Sequence, residues 1–113
     1  MAFTPYHKIV GSTSQEVELL ALGDVPKSRI KSILITNVHA SAAATVGLFL
    51  FKDSAAGGSS ETYYIMHDYQ ITYRNYIILN DEFLLNFDNS TDTGYSLYIE
   101  VGSSDEVDVF INK

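Results

Sequence analysis

The residues best suited to chemistry in this chain are its three histidines, His7, His39 and His67, and the acids of "DNSTDTG", residues 88–94. An imidazole can ligate a metal or move a proton near neutral pH. These three lie far apart in sequence, without metal-ligand spacing, each near a predicted strand end or loop. A surface or interface histidine is the expected role. "DNSTDTG" sets Asp88, Ser90 and Asp92 at alternate positions, as a calcium loop does, but its glycine, Gly94, comes too late. The distal bidentate acid is also missing from its place, so an acidic turn between two strands is expected.

Other motifs lead no further. Asn89-Ser90-Thr91 matches a glycosylation sequon. The first residues lack the basic and apolar regions of a signal peptide, which predicts no secretion by that route and an unused sequon. "SAAGGSS", residues 54–60, has glycines but no following Lys-Ser/Thr, and reads as a hairpin tip. The serines lack a Gly-x-Ser-x-Gly elbow. With no cysteine there is neither a disulfide scaffold nor a thiolate metal site. The expectation is a protein that is not an enzyme, with no catalytic, cofactor-binding or metal residues.

The elements that would position any site are strands. Residues 31–53, "KSILITNVHASAAATVGLFLFKD", are the most apolar stretch, yet Asn37, His39, Ser41 and Thr45 interrupt them. A membrane helix needs ~20 predominantly apolar residues, so this is not one. Three alanines, Ala42, Ala43 and Ala44, do not sustain a helix, and the flanks alternate with period two. The stretch reads as strand, connection, strand. Ile33 and Ile35 share one face, with Ser32, Leu34 and Thr36 on the other; Val46, Leu48 and Leu50 oppose Gly47, Phe49 and Phe51.

The same period recurs along the chain. "YSLYIEVG" turns Leu97, Ile99 and Val101 inward and Ser96, Tyr98 and Glu100 outward. "EVDVFIN" turns Val107, Val109 and Ile111 inward and Asp108 and Phe110 outward. In "ETYYIMH", Tyr63 and Ile65 oppose Tyr64 and Met66; "QEVELLAL" begins as alternation and thickens into a continuous apolar run. "ITYRNYIILND" places a turn at Arg74-Asn75 beside a strand carrying Ile77 and Leu79. About eight strands, joined by Gly, Asp, Asn and Ser clusters, predict an all-β fold: an antiparallel two-sheet sandwich, jelly-roll or immunoglobulin-like. The 113 residues form one domain, 1–113, with 1–13 read as an extended N-terminal arm.

The net charge of −7 argues against nucleic acid or an anionic membrane as partner, since both need a basic patch. Residues 1–52 hold five basic and three acidic groups, and residues 53–113 hold two and eleven. Were the two halves kept apart, the molecule would be dipolar and could dock head to tail; the plainer reading is a surface kept soluble by its acids. Phe49, Phe51, Tyr64, Tyr98 and Phe110 fall on outer faces of their strands. Either those strands are covered on both faces, or the rings form a protein–protein interface, which is the reading adopted.

"RIKSILITNVHASAAATVGLFLF", "ETYYIMHDYQI", "NYIILNDEFLL" and "TGYSLYIEVGSSDEVDVFINK" follow one another in an order that resembles a group of small virion structural proteins of tailed bacteriophages. The resemblance spans residues 28–113 and rests on pattern and order; "TYRNY" departs from it, where the group is more Gly- or Pro-like. It implies a non-enzymatic decoration, neck or tail accessory protein located in the virion. Such a protein binds other virion proteins, capsid or tail subunits, or further copies of itself as a homo-oligomer. Two other readings stand beside it. One is a carbohydrate- or receptor-binding module of a phage fibre, with Tyr63, Tyr64, Tyr69, Tyr73 and Tyr76 stacking on sugars. The other is a small jelly-roll hydrolase or isomerase.

Overall fold

A computed structural model describes residues 5–24, 30–52, 60–81, 85, 87–91 and 94–112. Eight strands are formed: β1 (Tyr6–Val10), β2 (Glu16–Leu20), β3 (Ser32–Asn37), β4 (Ala44–Lys52), β5 (Glu61–Ile71), β6 (Tyr76–Leu79), β7 (Ser96–Val101) and β8 (Glu106–Asn112). They make two four-stranded antiparallel sheets, ordered β1-β8-β3-β6 and β2-β7-β4-β5. β1 pairs with β8, β2 with β7, β3 with β6 and β4 with β5. This is one long hairpin rolled up, the wiring of a jelly roll. It decides between the two sandwich types that strand periodicity left open.

The apolar alternation of each strand explains the core. Ile33, Ile35, Leu48, Leu97, Ile99 and Val107 are all fully buried between the sheets. Burying each such side chain contributes about 1.5–3 kcal/mol. The run at the end of β2 has a specific cause. The register shifts between Glu18 and Leu20, so a bulge turns both Leu19 and Leu20 into the core.

Two features differ from the sequence reading. Residues 6–10, expected within an extended arm, are an edge strand paired along its length with β8. Its inward positions are only His7 and Ile9, too short and too polar an alternation to stand out. Nor does the fold separate the two charge halves of the chain. Each sheet alternates a strand from the first half with one from the second, so no end-to-end dipole arises from that division.

Two buried asparagines hold the connections. Asn37, wholly buried, donates from Nδ2 to the carbonyls of Ala42 and Ile71 and accepts from the His39 amide. It closes the Ala/Ser-rich connection that had looked helical. Asn89 donates to the carbonyls of Ala21 and Tyr95 and is 1% exposed. Its amide is thus inaccessible to a glycan in the folded chain. Beside it, Asp88 accepts from the Ser90 amide in a tight turn, and a Cβ on Gly94 would collide with the Ser90 backbone. Asp92 and the hairpin tip at 54–59 lie outside the described residues.

The first and last halves also meet closely at one end of the sandwich. Gly11 donates its amide to the Asp105 carbonyl, and any Cβ there would overlap the Gly102 carbonyl. Asp105 also accepts from the Thr45 amide and lies 3.3 Å from His39 Nε2.

Candidate functional site

The strand registers place side chains in rows across the outside of each sheet. On the β1-β8-β3-β6 sheet, Tyr6 lies opposite Phe110, Phe110 opposite Leu34, and Leu34 opposite Ile78. This apolar row crosses all four strands. Tyr6 is 65% exposed, Ile78 52% and Phe110 42%. The Tyr6 and Phe110 rings meet edge to face, with centroids 4.7 Å apart. Phe110 stands between two shallow hollows of about 460 and 320 Å³, and Leu34 lines both. The neighbouring row contains Lys8 and Asp108, joined by a 2.9 Å ion pair that raises the Lys8 pKa. Nearby Glu106 is the remaining charge of this face on β8, so the surface is close to neutral.

The outside of the β2-β7-β4-β5 sheet is different. Its central row runs Glu18, Tyr98, Phe49 and Tyr64. Phe49 faces outward as its phase requires, but it is 5% exposed and not open to a partner. The stacked Tyr98 ring and the tilted Tyr64 ring, at 5.4 and 5.3 Å, lie against it from the flanking strands. Phe51 is half-buried and edge-on to Tyr98. Four of the five expected interface aromatics therefore gather on one face, while Phe110 belongs to the opposite one. Its neighbours there, Tyr6, Leu34 and Ile78, escaped a reading strand by strand, because only register brings them together.

The row beside Phe49 is acidic. Glu16 and Glu100 are direct cross-strand partners, and like charges in such pairs repel. Glu100 lies across Gly47, where a Cβ would come within 2.9 Å of its Oε1. Opposite, β5 carries register irregularities and Asp68 adopts φ +52°. Consecutive strand residues normally point to opposite faces, but here His67 and Asp68 both reach Glu100. His67 Nε2 is 3.8 Å from Asp68 Oδ2 and 3.8 Å from Glu100 Oε1. The His67 ring lies 4.1 Å from that of Tyr64. Desolvation, then the carboxylates of Glu100, Glu16 and Asp68, push the Tyr64 phenol above its ordinary value. Of the three histidines, only His67 joins a group of potential ligands among the described residues. Sequence spacing could not show this, since Glu100 is on another strand and the bulge has no motif.

No protein-family model matches this chain, and neither the curated proteins nor the solved structures yield a match. The site must speak for itself.

Proposed function

We propose that this chain is a non-enzymatic virion structural protein that works by docking, and that its docking surface is the outer face of the β1-β8-β3-β6 sheet. One observation carries the docking reading: the apolar row Tyr6–Phe110–Leu34–Ile78, exposed at Tyr6, Phe110 and Ile78 and half-buried at Leu34, spans the whole sheet. Continuous apolar surface of this kind is what partners cover, and aromatic residues anchor such contacts. A second copy of the chain is the partner proposed. In a molecule of net charge −7, like copies repel least through their least charged face, which is this one. The shape is also self-complementary, a phenylalanine ridge between two hollows, as a two-fold contact requires. The virion setting rests on the bacteriophage resemblance and on jelly-roll wiring, which viral coat proteins use.

The test is the double change Phe110→Ser with Ile78→Ser, followed by sedimentation velocity over a range of concentrations. The wild type is expected to self-associate and the variant to remain monomeric while melting cooperatively. A wild type that is monomeric at every concentration removes the self-docking reading. Genes for head or tail proteins beside this one would support the virion setting; their absence would weigh against it.

A second reading has its own observation. A cleft of about 220 Å³ between edge strands β5 and β6 is lined by Tyr69, Gln70, Thr72, Asn75 and Tyr76. Exposed tyrosines with amide and hydroxyl groups between them suit a sugar ring, and a glycan array tests this directly.

A further inference from the structure

We infer that His67, Asp68 and Glu100 form a binding site for one divalent transition-metal ion, with Zn²⁺ the reference ion. The site lies on the sheet opposite the docking face, so the two proposals stand or fall separately.

The donors are already converged. One ligand atom from each residue lies within 4.8 Å of the others. Around tetrahedral zinc at ~2.0–2.1 Å, ligand atoms stand roughly 3.3–3.4 Å apart. The two observed separations from His67 Nε2 are both 3.8 Å. Small rotations of the side chains close that difference, and the His67 and Asp68 side chains are more than half exposed.

The donor set selects the class of ion. Calcium and magnesium favour oxygen-only sets, whereas imidazole nitrogen with carboxylate oxygen suits zinc and its first-row neighbours. The nitrogen is what separates this group from a plain acidic patch. Its ring is braced against Tyr64 on the same strand.

Apart from His67 itself, no cationic side chain borders the site among the described residues. The adjoining hollow, about 300 Å³, is bordered by Glu16, Asp68 and Glu100, and no lysine or arginine lines it among the described residues. Glu16 faces Glu100 directly and adds to the negative potential. A divalent ion would relieve that repulsion while three protein donors leave a further position open to water on the hollow side. Gly47 makes the geometry feasible, because only a residue without a Cβ lets Glu100 lie across β4 towards His67.

The test uses the untagged full chain after chelation. Zn²⁺ is titrated calorimetrically, and Co²⁺ is followed through its visible absorption and through paramagnetic broadening in ¹H–¹⁵N spectra. One ion per chain is expected, with broadening centred on His67, Asp68 and Glu100. His67→Ala and Glu100→Gln should each weaken Zn²⁺ binding at least about tenfold, equivalent to 1.4 kcal/mol, while His39→Gln should leave it unchanged. Absence of saturable Zn²⁺ binding overturns the site. So does full affinity in His67→Ala, broadening centred on Asp88, or Ca²⁺ binding as tightly as Zn²⁺. The broadening map uses the wild-type chain, so it decides the matter even if a variant fails to fold.

Discussion

The two outer faces of this sandwich present phenylalanine in opposite ways. Phe110 and Phe49 both point away from the core on central strands, β8 and β4. Phe110 has Tyr6 on one side and aliphatic Leu34 on the other, and stays 42% exposed. Phe49 has Tyr98 and Tyr64, whose rings close over it to leave 5%. One face thus seals its phenylalanine under tyrosines and offers carboxylates, while the other leaves its phenylalanine open and keeps charge low. What decides whether an outward phenylalanine belongs to folding or to association is the identity of its cross-strand neighbours. The phase of its own strand does not.

The sharpest way to break this comparison is to truncate each ring separately. Phe49→Ala should cost roughly 3–5 kcal/mol in folding stability, as for other buried phenylalanines, measured by urea denaturation. Phe110→Ala should cost much less in the same assay. Equal costs would erase the distinction between the faces. It also follows that Phe49→Ser with Phe51→Ser is a poor probe of assembly, since the first change damages the fold itself.

The association side is sharpened by Phe110→Ser with Ile78→Ser. A two-fold contact carries each change twice, so even at about 1 kcal/mol per truncated side chain the double variant should weaken self-association roughly a thousandfold. At concentrations too low for the wild type to associate, melting temperature should change little, because both side chains are about half exposed in the single chain.

A smaller effect probes the acidic face. Glu16→Gln removes one member of a like-charged cross-strand pair. Stability should rise by about 0.2–1 kcal/mol at low ionic strength, and the gain should fade in high salt. A loss of stability would mean that the Glu16 carboxylate is neutralised in the native protein.

The smallest effect is spectroscopic. Glu100 is among the groups that hold the Tyr64 phenol neutral above its usual range. In Glu100→Gln the tyrosinate absorbance of Tyr64 should appear at lower pH than in the wild type. The raised native pKa has a sign consequence. Its contribution to stability is complete below the ordinary tyrosine value of 10.0 and disappears as pH rises through the higher native value. An unchanged titration in the variant would show that the Glu100 carboxylate does not contribute to the shift.

Much of the fold was legible because alternation is a local property. Ile33 and Ile35 in β3, and Leu97, Ile99 and Val101 in β7, declare their inner face within a few residues, and all are buried. Leu19 and Leu20 show where that logic stops. A pair of adjacent apolar residues fits a bulge, a buried strand or a helix equally well, and only pairing with β7 separates these. The candidate sites depend on register still more. Nothing near Phe110 in sequence points to Tyr6 or Ile78, and nothing near His67 points to Glu100. The distance in sequence between Tyr6 and Phe110 is nearly the whole chain, yet the two are opposed residues in one ladder.

That ladder between first and last strands has a consequence for how the protein comes into being. Strands β1 and β3 meet β8, and β2 and β4 meet β7, so neither sheet can be assembled from the first half of the chain. On the ribosome, β3 and β4 can pair with β6 and β5, but β1 and β2 have no strand partner until β7 and β8 emerge, and folding is then governed by the closure of very long loops. Such topologies fold on the millisecond-to-second scale. A nascent chain stalled before residue 96 has an incomplete sandwich and exposed strand edges, which makes translation pausing, more than any single side chain, the point at which this molecule is most open to aggregation.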